Sequence, residues 1–275
     1  MNVRIWPALG LAAAALTFPA VSGAQGVSNS VTQLDGNQTQ NQLTEQLLQE
    51  TLSDPKQEAA YQAFHKLNGQ EADKKIRLGL DFLGKYPSSL HTQAVYEELV
   101  QTYYLKQDLP DFYTYSDKGI LLFPDDVPIL TLTGWVIPRA YSHDDPDGDK
   151  KLDKAVTYEK HALTTMSTMA KPSDMSSQQF DQYKNGESAI AHSGLGMVYF
   201  RRGQFEDSVK ELQAAVQNSA KPDQTDFYVL GAALENLNQH KEAADAFNHC
   251  AQIDGGLKDS CKKFADGAMA ETAPK

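Results

Sequence analysis

The amino-acid sequence predicts an all-α protein built as a chain of helical hairpins. Three observations carry this expectation. From Leu43 onward, apolar residues recur at helical spacing, and no run of alternating β-branched residues is bounded by hairpin turns. Breaks at Asn68-Gly69, Tyr86-Pro87, Phe123-Pro124, Lys171-Pro172 and Lys221-Pro222 leave segments one or two helices long. Proline breaks a helix because it cannot donate its backbone bond and restricts the residue before it. Finally, the stretch GLGMVYFRRGQFEDSVKELQAAV, Gly194 to Val216, meets itself when shifted by 35 residues.

The chain opens with Arg4 as a small positive region, an apolar run of fourteen residues from Ile5 to Phe18, and small residues at Ser22-Gly23-Ala24. Such a run is too short to cross a bilayer, which takes roughly 20 residues. Residues 1–24 are therefore expected to be a secretory signal peptide cut near Ala24, with export to the periplasm or the medium. Residues 25–42 are rich in Gln and Asn and almost free of large apolar side chains, so a flexible polar leader is expected there. Cleavage takes the net charge from −11 to −12 with the loss of Arg4. An acidic chain without a basic run lacks the footprint that nucleic acid or an anionic membrane surface requires. No second apolar run approaches spanning length, so direct membrane insertion is not expected.

The self-match has particular residues behind it. At the 35-residue offset, Leu195-Gly196 falls on Leu230-Gly231 and Tyr199 on Leu234, while Ser208, Leu212 and Ala215 fall on Ala243, Phe247 and Cys250. This pattern resembles the tetratricopeptide repeat: W-x2-L-G-x2-Y on a first helix, then A-x3-F on a second, then proline. The resemblance implies a right-handed superhelix of roughly five hairpins whose core forms by stacking. Gly196 and Gly231 would let the two helices of a hairpin approach, with the small residues Ser208 and Ala243 facing them. Tyr96-x2-Leu99-Val100-x2-Tyr103 repeats the first-helix pattern, though Val100 and Phe112 stand where small residues are expected. PILTLTGWVI and KAVTYEKHAL, the latter with Ala155 and Ala162, make a further first and second helix. Residues 43–188 thus read as divergent hairpins, 189–256 as two well-formed repeats and 257–275 as a capping helix and tail. Residues 173–187 are extra, a lengthened helix or loop.

In proteins similar to this family, the first helices line a concave groove that holds a peptide or a partner's helix. Stepping along that face gives Glu97, Gln101 and Tyr104, then Thr131 and Trp135, then Ser193, Met197 and Phe200, and last Tyr228, Ala232 and Glu235. Of these, Glu97, Gln101, Tyr104, Trp135, Ser193, Met197, Tyr228 and Glu235 are the expected contacts to a protein or peptide partner. Rigid apolar anchors of this kind dominate binding energy. The Lys and Asn that grip a C-terminal carboxylate in some cochaperones are missing from these positions, which argues against a carboxylate clamp.

The acidic loop His143 to Asp153 has Asp145, Asp147 and Asp149 around Gly148, as a calcium loop does. Aligned on that glycine, however, the first ligand position is His143 and the closing one Lys154, so a solvated loop that caps a helix near Lys151 is the preferred reading. The seven histidines form no H-E-x-x-H, no serine sits in G-x-S-x-G, and no phosphate-cradling glycine loop occurs. No catalysis, cofactor or metal is expected. His192 is expected to be packed in the core.

Cys250 and Cys261 are the only cysteines. Cys250 faces the next element in the repeat, and the Gly255-Gly256 turn folds the chain back, so a disulfide stapling the cap is expected in an exported protein. The expected function is a non-catalytic adaptor that binds a protein partner through its concave face. A self-associating envelope scaffold is the principal alternative, followed by an enzyme or a calcium-dependent binding module. The sequence leaves the oligomeric state open.

Overall fold

The computed structural model describes residues 54–272. The expected signal peptide, the leader, residues 43–53 and the last three residues lie outside that range. Among the described residues all regular structure is helical. The chain divides into two compact units, one containing residues 54–129 and 171–176, the other residues 130–170 and 177–272.

In the first unit, α1 (Pro55–His65) starts where Asp54 accepts a hydrogen bond from the Lys56 amide, with Pro55 at the first helical position. It pairs with α2 (Ala72–Lys85), then come α3 (Thr92–Leu105) and α4 (Leu109–Leu122). Phe64, Phe82, Val95, Leu99, Val100 and Phe112 are buried between them. Tyr61 stacks on His91 with ring centroids 3.8 Å apart. Glu98 ties α3 back to the first hairpin, accepting from Lys75 Nζ at 2.6 Å and lying 2.6 Å from His65 Nδ1.

α5 (Val127–Arg139) begins in this unit and passes into the second at Leu130. Of residues 126–138 only Pro128 is not buried, as befits a stretch that is mostly apolar, with Asp126, Thr131 and Thr133 as its buried polar members. The second unit continues with α6 (Gly148–Thr168), α7 (Ser177–Arg201), α8 (Phe205–Asn218), α9 (Gln224–Asn236), α10 (His240–Gln252) and α11 (Lys258–Glu271). The extra residues 173–187 are largely the first turns of α7, which runs 25 residues. α6 starts at Gly148, three residues before the expected Lys151, and Asp147 makes no side-chain cap there.

The internal repeat is visible as repeated contacts. A Cβ on Gly196 would lie 2.6 Å from Leu212 Cγ, and one on Gly231 would lie 2.7 Å from Phe247 Cε1. Leu212 and Phe247 are themselves equivalent at the 35-residue offset. Ser208 faces its glycine as expected, donating its hydroxyl to the Gly196 carbonyl at 2.8 Å.

The turns repeat as well. Gln107, Gly203 and Asn238 have φ of 58°, 70° and 60°, the left-handed region. Each donates its amide three residues back, to Tyr104, Phe200 and Glu235 at 2.9–3.0 Å. The residue after each donates to the carbonyl of Tyr103, Tyr199 or Leu234. The hairpin α3–α4 therefore shares its turn with α7–α8 and α9–α10. Its size exchange is also explained: where Val100 and Phe112 are large, Ser116 stands small at the position of Leu212 and Phe247.

The Gly255-Gly256 turn returns the chain to α11, and Cys250 and Cys261 are joined by a disulfide with Cα atoms 5.8 Å apart. Gln224 clamps this turn. Its Nε2 donates to the Cys250 and Ile253 carbonyls at 3.1 and 2.8 Å, and its Oε1 accepts from the Leu257 amide at 3.2 Å.

Candidate functional site

The densest gathering of polar chemistry is a buried seam in the second unit. Trp135 and Arg139 sit one turn apart on α5, so they share a face. The Arg139 guanidinium lies 3.6 Å from the Trp135 ring centroid and donates to the Trp135 carbonyl at 3.1 Å. From α7, Ser193 Oγ accepts from Trp135 Nε1 at 3.1 Å and from Arg139 at 2.8 Å. The same hydroxyl donates to Asp226 of α9 at 2.6 Å, and Arg139 also donates to that carboxylate at 3.1 Å. Three helices are thus joined through one hydroxyl.

A serine offers one donor and two acceptor positions, and all three are used here. Ser193 is thus a joint between α5, α7 and α9. Burial pushes the Asp226 carboxyl up to about 6, against the pull of Arg139. Arg201, close behind, donates Nε to the Pro138 carbonyl at 3.2 Å, and burial followed by the field of Arg139 draws its pKa down.

A second part of the seam lies one turn away. Thr131 donates to Glu187 at 2.6 Å. Glu159 of α6 is 0% exposed, and neither carboxylate oxygen has a hydrogen-bond partner. It is wedged between Gly134 of α5 and Gly194 of α7, where a Cβ on Gly134 would fall 2.5 Å from Oε1 and one on Gly194 would also collide with it. Burial lifts its pKa well above the usual carboxylate range, with Glu187 adding to the effect and Arg139 opposing it.

The expected partner contacts are distributed differently from an open groove. Tyr104, Trp135, Ser193, Met197 and Tyr228 are all buried. Tyr104 packs near Phe112, and Tyr228 meets Phe247 and Phe264 edge to face at 6.0 and 5.7 Å. Met197 belongs to the core shared by α8 to α11. Glu97, half-buried, hydrogen-bonds to Asp126, whose carboxyl burial raises. Glu235 lies 3.1 Å from His240 Nδ1, and Gln101 is half-buried. The physical reason is that α5 and α9 are apolar on nearly all sides, so stepping along one face lands in the interior.

Of the eight residues, the structure brings Trp135 and Ser193 together. Sequence reasoning missed Arg139, Asp226, Glu159 and Glu187. Glu159 carried a signal, standing between Ala155 and Ala162 on the stripe that ends at Met166. Arg139, four residues beyond a tryptophan on an otherwise uncharged helix, carried another.

In the acidic loop, Lys151 reaches Asp145 at 2.5 Å and Lys150 reaches Asp147 at 2.8 Å. The Lys151 hydrogen bond, aided by the Asp147 amide, draws the Asp145 carboxyl below its usual value. One oxygen of Asp145 and one of Asp147 are thereby paired with an ammonium group. His192 is half-buried and lies 2.6 Å from Glu211, and His249 stacks on Phe227. No group of three or more His, Cys, Asp or Glu is placed to hold a metal ion among the described residues, and no helix there is long and apolar enough to cross a membrane. No protein-family model matches the chain, and no curated protein matches it.

Proposed function

We propose that this chain is an exported, non-catalytic helical-repeat adaptor of the tetratricopeptide type, stacked as a right-handed superhelix and binding a protein partner through the concave face of its first helices. The observation that carries this reading is the threefold recurrence of one hairpin turn, with equivalent close contacts at Gly196 and Gly231. Repeats of this kind cannot bury a core singly, and arrays of them present extended surfaces to partners. The buried seam is the frame of that surface rather than its contact layer. Gln101 and Glu235, at inward positions and partly exposed, are left to meet a partner.

The test is capture from cell-envelope extract by the immobilised chain, compared with Gln101→Lys and Glu235→Lys. Both variants should melt like the wild type, and at least one should lose most of the captured partner. If nothing specific is captured, or both variants capture undiminished, the concave-face adaptor is abandoned.

One observation favours the scaffold alternative. Leu121 and Leu122, adjacent on α4, are 83% and 55% exposed, a burden for a protein that stays monomeric. Light scattering decides between the two readings. A stable oligomer that Leu121→Lys disperses supports self-association, and a monomer at all concentrations removes it.

A further inference from the structure

Three carboxyl groups and two guanidinium groups lie close together in the interior of the second unit: Glu159, Glu187 and Asp226 with Arg139 and Arg201. Asp226 is joined to Arg139 and Ser193, and Glu187 accepts from Thr131. With all five ionised, one negative charge is left over. Glu159 is the group without a partner: both of its oxygens are buried and neither meets a donor. An isolated buried carboxylate is costly, so something positive must accompany it. The fit around it decides what. Gly134 and Gly194 close on the carboxyl so tightly that even a methyl group on either would overlap it. A metal ion or an ammonium group needs a shell of ligands and space to hold it. A proton needs neither.

We propose that Glu159 is a proton site that latches α5 to α7, so that loss of the proton to solvent base separates the two helices and exposes the buried seam. The charged groups whose fields reach it are Arg139 from α5, which favours ionisation, and Glu187 from α7, which opposes it. Protonated, the carboxyl is a neutral filler between two glycine surfaces. Ionised, it has no donor to turn to, and it gains hydration only if α5 and α7 part. The direction follows: the folded form holds a proton that the unfolded form has already released, so the latch weakens as pH rises above the unfolded glutamate value of about 4.3.

Trp135 is one residue from Gly134 and hydrogen-bonded to Ser193, which adjoins Gly194, so its emission reports on this crossing. In the full chain the other tryptophan is Trp6, and it contributes alike to wild type and variant. Emission and melting temperature are followed from about pH 7 to about pH 10, above the range in which Asp226 titrates, for the wild type and for Glu159→Gln, which keeps the shape and cannot ionise. The wild type should show a red shift and a fall of several degrees in melting temperature as pH rises, and Glu159→Gln should lose both. Carbon-13 labelling of the glutamate carboxyls gives a readout on the wild type alone. One resonance should stay at the protonated position far above the range where the exposed glutamates titrate, and it should be missing from Glu159→Gln. A wild type in which every glutamate resonance titrates in the ordinary range overturns the proposal. So does a red shift of equal size in Glu159→Gln.

Discussion

Ser193 shows how much one side chain can settle. Its hydroxyl accepts from Trp135 and Arg139 of α5 and donates to Asp226 on α9, so a replacement without a hydroxyl leaves buried polar groups unmatched. Ser193→Ala should lower stability by about 1–3 kcal/mol with the fold kept, measured by chemical denaturation. Trp135→Ala should cost about 3–5 kcal/mol, because it removes a buried ring and the surface on which Arg139 lies. A Trp135→Ala protein as stable as the wild type would place that side chain in an open groove after all. Ser116 is the opposite case. Its buried hydroxyl has no partner, so Ser116→Ala should be neutral or stabilising by thermal melting. Asp226 sets a pH dependence of its own. Its carboxyl is raised to about 6, so the folded state keeps a proton that the unfolded state loses from about 3.8 upward. Its contribution is largest below that range and falls as pH rises to about 6, by about 3 kcal/mol in all, and Asp226→Asn melting profiles should be shallower by that amount over this range.

At the scale of elements, the hairpins are held by contact distance rather than by helix propensity. Gly196→Leu and Gly231→Leu each place a side chain where Leu212 and Phe247 already sit. Overpacking of this kind costs about 1–3 kcal/mol, so both variants should melt early, and unchanged melting would show that the helices have room to part. The last hairpin and α11 are joined covalently and by hydrogen bonds. Reduction of Cys250–Cys261 should destabilise the cap by around 3 kcal/mol in the chain-entropy model. Gln224→Ala removes three hydrogen bonds from the turn between the two cysteines and should add to that loss, read by hydrogen exchange of the α11 amides. Protection in α11 that survives both changes would mean that packing of Phe264 and its neighbours suffices.

Across the whole molecule, each compact unit has its own core and its own charge network. The first is tied by carboxylates paired with His65, Lys75 and His91 near its half-exposed flank. The second buries Glu159, Glu187 and Asp226 and joins α5, α7 and α9 through Arg139, Ser193 and Asp226. Alkaline stress should therefore reach the second unit first, and hydrogen exchange at raised pH should show α5 to α7 losing protection before α1 to α4. Equal loss in both units would separate alkaline sensitivity from the buried seam.

The sequence by itself determined the helical class, most of the breaks, the 35-residue repeat between α7–α8 and α9–α10, and the pairing of Cys250 with Cys261. These are properties of spacing along the chain, which periodicity, proline chemistry and self-comparison read directly. Only the tertiary structure decided where the polar side chains went. Stepping along one helix face picks out Trp135, Ser193 and Tyr228 as contacts, but all three are buried, and their neighbours are set by distant segments. Arg139 and Asp226 are 87 residues apart and meet at 3.1 Å. The left-handed turn at Gln107 escaped notice because glycine marks that conformation only at Gly203, while a glutamine and an asparagine adopt it in the other two hairpins. Glu159 looks like an ordinary surface charge until Gly134 and Gly194 close over it from two other helices, because burial is a property of what surrounds a residue rather than of the residue itself.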